Sequence, residues 1–171
     1  MTSRLFPFFI LLISLLTACN KDGVSPAEAL PGDTWFPLKI NGVDLSVQLA
    51  LTPAEQQRGL MYRDSLDPEG GMIFAYRDPQ RMSFWMANTR IPLDIGFFDE
   101  KGVLLEIHQL IPFDTKSISS QTDAALFAIE TNRGWYASKG LYPGAKIDMK
   151  LLAEALQQRG MDPERYRITD Y

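Results

Sequence analysis

The sequence predicts a mainly β domain, a compact β-sandwich or jelly-roll-like barrel with one or two short helices and a C-terminal helix. One reason is a series of short apolar runs separated by turn residues, which is typical of all-β folds. A second is the dipeptide Asn41-Gly42, the strongest short-range signal of a β-hairpin. The third is residues 43–51, where apolar side chains occupy every second position, as on the buried face of a strand.

The first elements follow from local signals. Residues 34–40 and 43–51 are predicted to pair around the Asn41-Gly42 turn. A short helix then begins at Thr52, because Thr52-Pro53-Ala54-Glu55 matches a capping box with proline at the first helical position. Gly59 is expected to end this helix with a positive φ angle.

Further strands are predicted from apolar or alternating runs between turn residues, at residues 72–76, 82–87, 93–98, 103–110, 124–130 and 145–150. Asn88 and Thr89 suit a turn, so the two strands on either side of them are expected to form a central hairpin. Residues 112–123 form a long polar loop, and residues 135–139 a short helix.

The C-terminal part has a different periodicity. Leu151, Leu152, Ala155 and Leu156 recur at helical spacing, and Gly160 is a stop signal. We therefore divide the chain into a β domain at residues 34–150 and a helical extension at residues 151–171. A helix packed on an open sheet edge is favoured over a partner-binding helix.

The N-terminal segment predicts export. Residues 5–16 are apolar but shorter than the ~20 residues that span a membrane. A small-residue site, Leu16-Thr17-Ala18-Cys19, follows and contains the only cysteine of the chain. Residues 1–18 are thus a signal peptide, and Cys19 is either incidental or, as we favour, the lipidated N-terminus of a lipoprotein.

This interpretation predicts a location. The lipid on Cys19 would anchor the protein to a membrane on its periplasmic face, and residues 19–33, with their Gly, Ser and Pro, would form the tether. Asn20 follows Cys19 where an Asp would favour inner-membrane retention, so the outer membrane is favoured.

The composition and the motifs of the sequence argue against several classes of function. The net charge of −4 argues against nucleic acid as a partner. The sequence contains no nucleophile elbow, Walker loop, zinc-ligand spacing or Rossmann fingerprint, so no cofactor is predicted. Nothing in the sequence indicates the oligomeric state.

The segment around residues 84–98 carries a family resemblance. Its motifs are Phe84-Trp85-Met86, Asn88-Thr89 and Ile91-Pro92-Leu93-Asp94-Ile95, with Gly59-Leu60-Met61, Gly71-Met72-Ile73-Phe74 and Ile129-Glu130 as further matches. These motifs resemble domain-of-unknown-function family 192 over roughly residues 49–147. The resemblance implies a β-sandwich or jelly-roll fold and brings no established activity. The family often has Lys where this chain has Ala87, so any role of that cation is absent here.

Two carboxylates in apolar runs, Asp94 and Glu130, are the candidate catalytic residues. If they lay about 5–10 Å apart across a cleft, they could act as general acid and base on a glycosidic bond, which would make the protein an envelope hydrolase. The alternative, which we favour, is that each carboxylate pairs with an arginine such as Arg63 or Arg81, or caps a turn.

The leading hypothesis is a non-enzymatic binding or accessory module of the cell envelope. Trp85, Asn88, Asp94, Arg63 and Asn132 are the candidate ligand-binding residues, because aromatic walls with a few polar groups are typical of sites for small or glycan-like ligands. We expect Asp94 at the base of a cleft beside Trp85 and Asn88, partnered by an arginine.

A second alternative is Cu(I) binding by thioethers, with His108 as the only imidazole. The methionines concerned are Met61, Met72, Met82 and Met86. Methionine is also an adaptable core residue, and we favour that role.

Overall fold

The computed structural model describes residues 29–169 and 171. The predicted signal peptide, Cys19 and the tether up to residue 28 lie outside the described residues. Within the described part of the chain, no helix has the length and apolar character needed to cross a membrane.

A six-stranded mixed sheet forms the centre of the fold, and a separate two-stranded ribbon covers part of it. The strands are β1 Phe36–Ile40, β2 Val43–Ala50, β3 Gly70–Gln80, β4 Ser83–Phe84, β5 Leu93–Phe98, β6 Leu104–Leu110, β7 Ile118–Ser119 and β8 Ala125–Asn132. The sheet has the order β1-β2-β3-β8-β5-β6, and β4 pairs with β7. The mainly β class is thus confirmed, with an open sheet in place of a closed barrel.

The β1–β2 hairpin forms as predicted. Asn41 and Gly42 both have positive φ angles, 47° and 79°, as a type I′ turn requires. β2 then runs parallel to β3, and helix α1, Pro53–Arg58, lies in the connection between them.

Helix α1 has the predicted capping box. The Thr52 hydroxyl accepts a hydrogen bond from the Glu55 N–H, and the Glu55 carboxylate accepts one from the Thr52 N–H. Gly59 follows with φ 47° and ψ −133°, a conformation available essentially only to glycine. This turn directs Leu60 into the core, where it is 2 % exposed.

The sheet separates two hydrophobic cores. On one face, here called the helical face, side chains pack against α2, Trp135–Ser138, and α3, Met149–Gln158. On the other, here called the cleft face, a second core includes Phe74, Ile95 and Phe97. Strand residues therefore project alternately into these two cores.

Helix α3 packs on the sheet as predicted. Leu152, Ala153, Ala155 and Leu156 are buried in the core of the helical face, and the helix contacts the edge strand β1. A 3-10 helix, Pro163–Tyr166, follows and buries Tyr166.

Two predicted strands do not form as the sequence predicted. Residues 82–87 contribute only the two-residue β4, which pairs with β7 and not with β5, so the central hairpin does not form. Residues 145–150 do not form a strand either. Lys146 and Ile147 make single bridges to Val103 and Ile40, and α3 begins at Met149 because Asp148 caps it.

Candidate functional site

A cleft of about 230 Å³ opens on the cleft face, between the end of α1, strand β3 and the loop that follows β4. Glu130 of β8 lies at its base and Trp85 at its rim. The other lining residues are Gln56, Gln57, Arg58, Gly59, Leu60, Met61, Phe74, Tyr76, Ser83, Phe84 and Thr89.

Glu130 is a buried carboxyl group that faces this cleft. It is only 5 % exposed, but its side-chain oxygens are not among the fully enclosed unpaired atoms of the described chain, so they keep some contact with solvent. Burial raises its pKa to about 8, although the nearby Arg63 acts in the opposite direction. At neutral pH the group therefore keeps its proton, and it can both donate and accept a hydrogen bond.

Arg63 lies near Glu130 but is held by other partners. Its guanidinium donates a hydrogen bond to the Gln48 side-chain oxygen and lies over the Trp35 ring, 5.8 Å from the centroid. Gln48 in turn donates to the Asp33 carbonyl at 2.7 Å. Burial, followed by repulsion from Arg58, lowers the pKa of Arg63. Arg63 thus contributes positive potential from outside the cleft lining.

The walls of the cleft combine aromatic and polar groups. Trp85 is 50 % exposed, whereas Thr89 is buried and lines the cleft. Tyr76 also lines it, and burial, together with the neighbouring Glu130, raises the pKa of the Tyr76 hydroxyl. A ligand in the cleft would therefore meet one indole ring and several hydrogen-bonding groups.

Asn88 positions the rim without lining the cleft. It has a φ angle of 61°, and its carbonyl accepts a hydrogen bond from the Tyr62 N–H at 2.9 Å. Tyr62 has a φ angle of 64°, so two side-chain-bearing residues in neighbouring loops adopt a conformation that is uncommon outside glycine. These loops hold Met61 and Trp85 at the mouth of the cleft.

Asp94 does not lie where the sequence predicted. It belongs to the helical face, where its Oδ2 accepts a hydrogen bond from the Gly134 N–H at 2.7 Å, just before α2. Its Oδ1 is buried without a partner among the described residues, and burial raises its pKa. No arginine forms an ion pair with it in the described chain. Its observed contact is structural, because it fixes the chain at the start of α2.

Asp94 and Glu130 do not share a cleft. In the β5–β8 register Asp94 is opposite Thr131, whereas Glu130 is opposite Ile95. Paired residues project to the same face and adjacent residues to opposite faces, so the two carboxylates lie on opposite sides of the sheet. The predicted pairing of these groups for hydrolysis is therefore wrong.

Two other sequence candidates have structural contacts. The Asn132 side chain donates to the Asp67 carbonyl at 2.8 Å and so holds the loop before β3. Arg81 donates to the Gln121 carbonyl at 3.0 Å and pairs with neither carboxylate.

The methionines lie mainly in the core. Met72, Met82 and Met86 are buried in the core of the cleft face, and Met61 lines the cleft. His108 contacts the Glu106 carboxylate at 2.6 Å. In the described range, no three His, Cys, Asp or Glu side chains form a potential metal-binding group.

Sequence patterns did not indicate Gln48, Arg58 or Tyr76 as candidate site residues. The alternation in residues 43–51 predicts that Gln48 projects from the face opposite to the apolar side chains. In a sheet with one buried face, that side chain would be exposed to solvent. A second core on that face buries it, to 5 % exposure. Nothing local to Arg58 or Tyr76 indicates that they meet at one cleft.

Comparisons with known proteins identify the family. The model of domain-of-unknown-function family 192 (DUF192), described as "Uncharacterized ACR", matches residues 36–149. Among curated proteins, the comparison found no match.

Two solved structures are similar to this chain. One is a protein of unknown function from Novosphingobium aromaticivorans DSM 12444, with 32% identity and a TM-score of 0.64, covering 73% of this chain and 94% of the other. The second is a proposed transcription regulator from Sinorhizobium meliloti 1021, with 28% identity and a TM-score of 0.65, covering 70% of this chain and 97% of the other. Since the family model spans most of the chain, this protein belongs to DUF192.

Proposed function

We propose that this protein is a lipid-anchored binding or accessory module of the cell envelope, and that its cleft takes a small or glycan-like ligand. The observation that carries the proposal is Glu130, a carboxyl group that is only 5 % exposed, lines the cleft and has a raised pKa. Among the described residues, Asp94 Oδ1 is the only fully enclosed polar side-chain atom without a partner, so the Glu130 oxygens still have contact with solvent and a polar group of a ligand in the cleft can bond them.

The chemistry of the cleft favours a neutral, hydroxyl- or amide-bearing group at its base. A protonated Glu130 offers one donor and further acceptor capacity, which matches a hydroxyl or an amide. The hydroxyl group of Thr89 and that of Tyr76 are nearby polar groups that could fix the orientation of such a ligand.

Trp85 supports a ring-shaped ligand. Its indole is 50 % exposed at the rim, where it offers a flat apolar surface next to polar groups. The cleft volume of about 230 Å³ is below the ~300–1,000 Å³ of sites that enclose drug-sized ligands. One sugar ring is therefore a better match than a large cofactor.

Binding is favoured over hydrolysis because the cleft lining holds a single carboxyl group. Among the described residues that line it, Glu130 is the only Asp or Glu. Glycosidases usually need two such groups on either side of the scissile bond.

The anchor remains part of the proposal. Cys19 would carry the lipid, and the tether would join the domain near the end of α3. In support, the Leu30 N–H donates a hydrogen bond to the Gln158 carbonyl at 2.8 Å. The lipid would hold the domain at the periplasmic face of a membrane, with the outer membrane favoured.

Titration calorimetry of the full-length chain in detergent with chitotriose tests the proposed binding. Trp85→Ala is expected to weaken binding about tenfold, the equivalent of about 1.4 kcal/mol, because it removes the stacking surface. The matched control is Tyr142→Ala, which removes another exposed aromatic ring (64 % exposed) outside the cleft lining. Absence of chitotriose binding, or equal affinity in wild type and Trp85→Ala, would refute the proposal.

A further inference from the structure

The cleft shares lining residues with two neighbouring cavities. It shares Gln56 and Tyr76 with a second cavity of about 510 Å³, which lies between α1 and β3 and extends to Tyr166. It shares Phe84 and Trp85 with a third cavity of about 30 Å³, which reaches the end of β6. These three adjoining cavities are here called the groove. Adjoining cavities offer more than one subsite, as a chain-like ligand requires.

Each part of the groove carries one cation without an ion pair. Arg58 lines the cleft, Arg77 the second cavity and Lys116 the third. In the described chain, none of these three cations forms a salt bridge. The protein as a whole has a net charge of −4, so these three cations have the opposite sign to the net charge.

The carboxyl groups of the groove do little to cancel the two arginines. Asp78 pairs with Arg167 at 2.9 Å, and Arg167 lies outside the groove lining. Asp114 shares the third cavity with Lys116 and offsets the charge of that lysine, so Arg58 and Arg77 carry the positive charge of the groove. Glu130 keeps its proton at neutral pH, so the base of the cleft adds no negative charge.

We propose that the groove binds an acidic linear polysaccharide, with one sugar ring over Glu130 beside Trp85 and with carboxylates of neighbouring sugars at Arg58 and Arg77. This inference rests on the proposed function, since it takes the same cleft as its central subsite. It adds the class of ligand, which is a chain bearing carboxylates on successive units.

Nucleic acid is the competing polyanion, and the observations favour it less. Nucleic-acid-binding surfaces present contiguous basic patches, because a phosphate occurs at every nucleotide. The groove instead has one cation per cavity, together with Asp78, Asp114 and several neutral polar and aromatic residues. Such sparse positive charge favours a polymer whose charges are separated by sugar rings.

The test compares two ligands that differ only in charge. The full-length chain in detergent is titrated with trigalacturonic acid and with its fully methyl-esterified form. At low ionic strength the acid is expected to bind about five- to tenfold more tightly than the ester, as two partly exposed ion pairs would give. The double variant Arg58→Gln/Arg77→Gln should remove this preference while keeping the affinity for the ester.

Lys150→Gln is the matched control, because it removes an exposed cation on α3, outside all three cavities. It should leave the preference for the acid unchanged, and melting curves should show that each variant folds. Equal affinity for acid and ester would overturn this inference and leave the cleft proposal intact. Absence of binding of both ligands, or tighter binding of a twelve-nucleotide oligothymidylate than of the acid, would overturn it as well. Loss of the Trp85 dependence alone would instead count against the proposed function.

Discussion

Replacing Glu130 with glutamine is expected to stabilise the protein, and the gain should increase with pH. The folded chain holds the Glu130 carboxyl in a buried position, so its pKa is raised from 4.5 to about 8. In the unfolded chain the group loses its proton near pH 4.5. Between these two values the folded state binds one proton more than the unfolded state, so the free energy of unfolding falls as the pH rises. Glutamine has a similar shape and no proton to lose.

The magnitude follows from the shift in pKa. Each pKa unit corresponds to about 1.4 kcal/mol, so the full cost of raising the pKa of Glu130 approaches about 5 kcal/mol above pH 8. Below pH 4.5 both states are protonated and the cost vanishes. From pH 5 to pH 8.5, the stability of Glu130→Gln relative to wild type should therefore increase by about 4 kcal/mol.

Urea unfolding of both proteins at pH 5, 7 and 8.5 measures this difference. Glu154→Gln is the matched control, because it makes the same substitution on α3, outside the cleft lining, and should follow the wild-type pH dependence. A stability difference between Glu130→Gln and wild type that stays constant or shrinks with pH would refute the reasoning. It would mean that the folded protein holds Glu130 ionised, with Arg63 as its counter-ion.

Two further predictions concern the rest of the chain. Asp94→Ala should destabilise the domain by about 1–3 kcal/mol, because it leaves the Gly134 N–H without its acceptor, whereas Asp94→Asn keeps an acceptor oxygen and should cost less. Thermal and urea melts would check this, and equal stability of Asp94→Ala and wild type would contradict it. Cys19→Ser should release the protein from the membrane fraction, and Asn20→Asp should move it towards the inner membrane. Membrane fractionation and mass spectrometry of the mature N-terminus would check both predictions. A soluble, unlipidated wild-type protein would contradict the proposed lipid anchor.

Local signals predicted much of the fold. The Asn41-Gly42 turn, the capping box at Thr52 and the alternation in β2 each depend on neighbouring residues, and each forms as expected. The central hairpin failed because strand pairing is not local. Residues 82–87 follow the long strand β3, and only Ser83 and Phe84 pair, with a segment about 35 residues further on.

The site was predicted only in part for the same reason. Glu130 and Trp85, both candidates from the sequence, line the cleft, but Asp94 lies on the other side of the sheet. The face that a strand residue occupies depends on its register with the neighbouring strand, and a shift of one residue moves a side chain to the other face. In the observed register, Glu130 is paired with Ile95 and not with Asp94. No local pattern in either segment specifies that register.

The most direct test of the account is the ¹³C resonance of the Glu130 side-chain carboxyl, assigned by its loss in Glu130→Gln. In the free protein this resonance should titrate near pH 8, and saturating chitotriose should shift it, because a ligand in the cleft would contact this carboxyl group and displace the solvent around it. A resonance that titrates at the ordinary glutamate pKa, or that does not respond to saturating ligand, would contradict the claim that Glu130 is the polar anchor of the cleft.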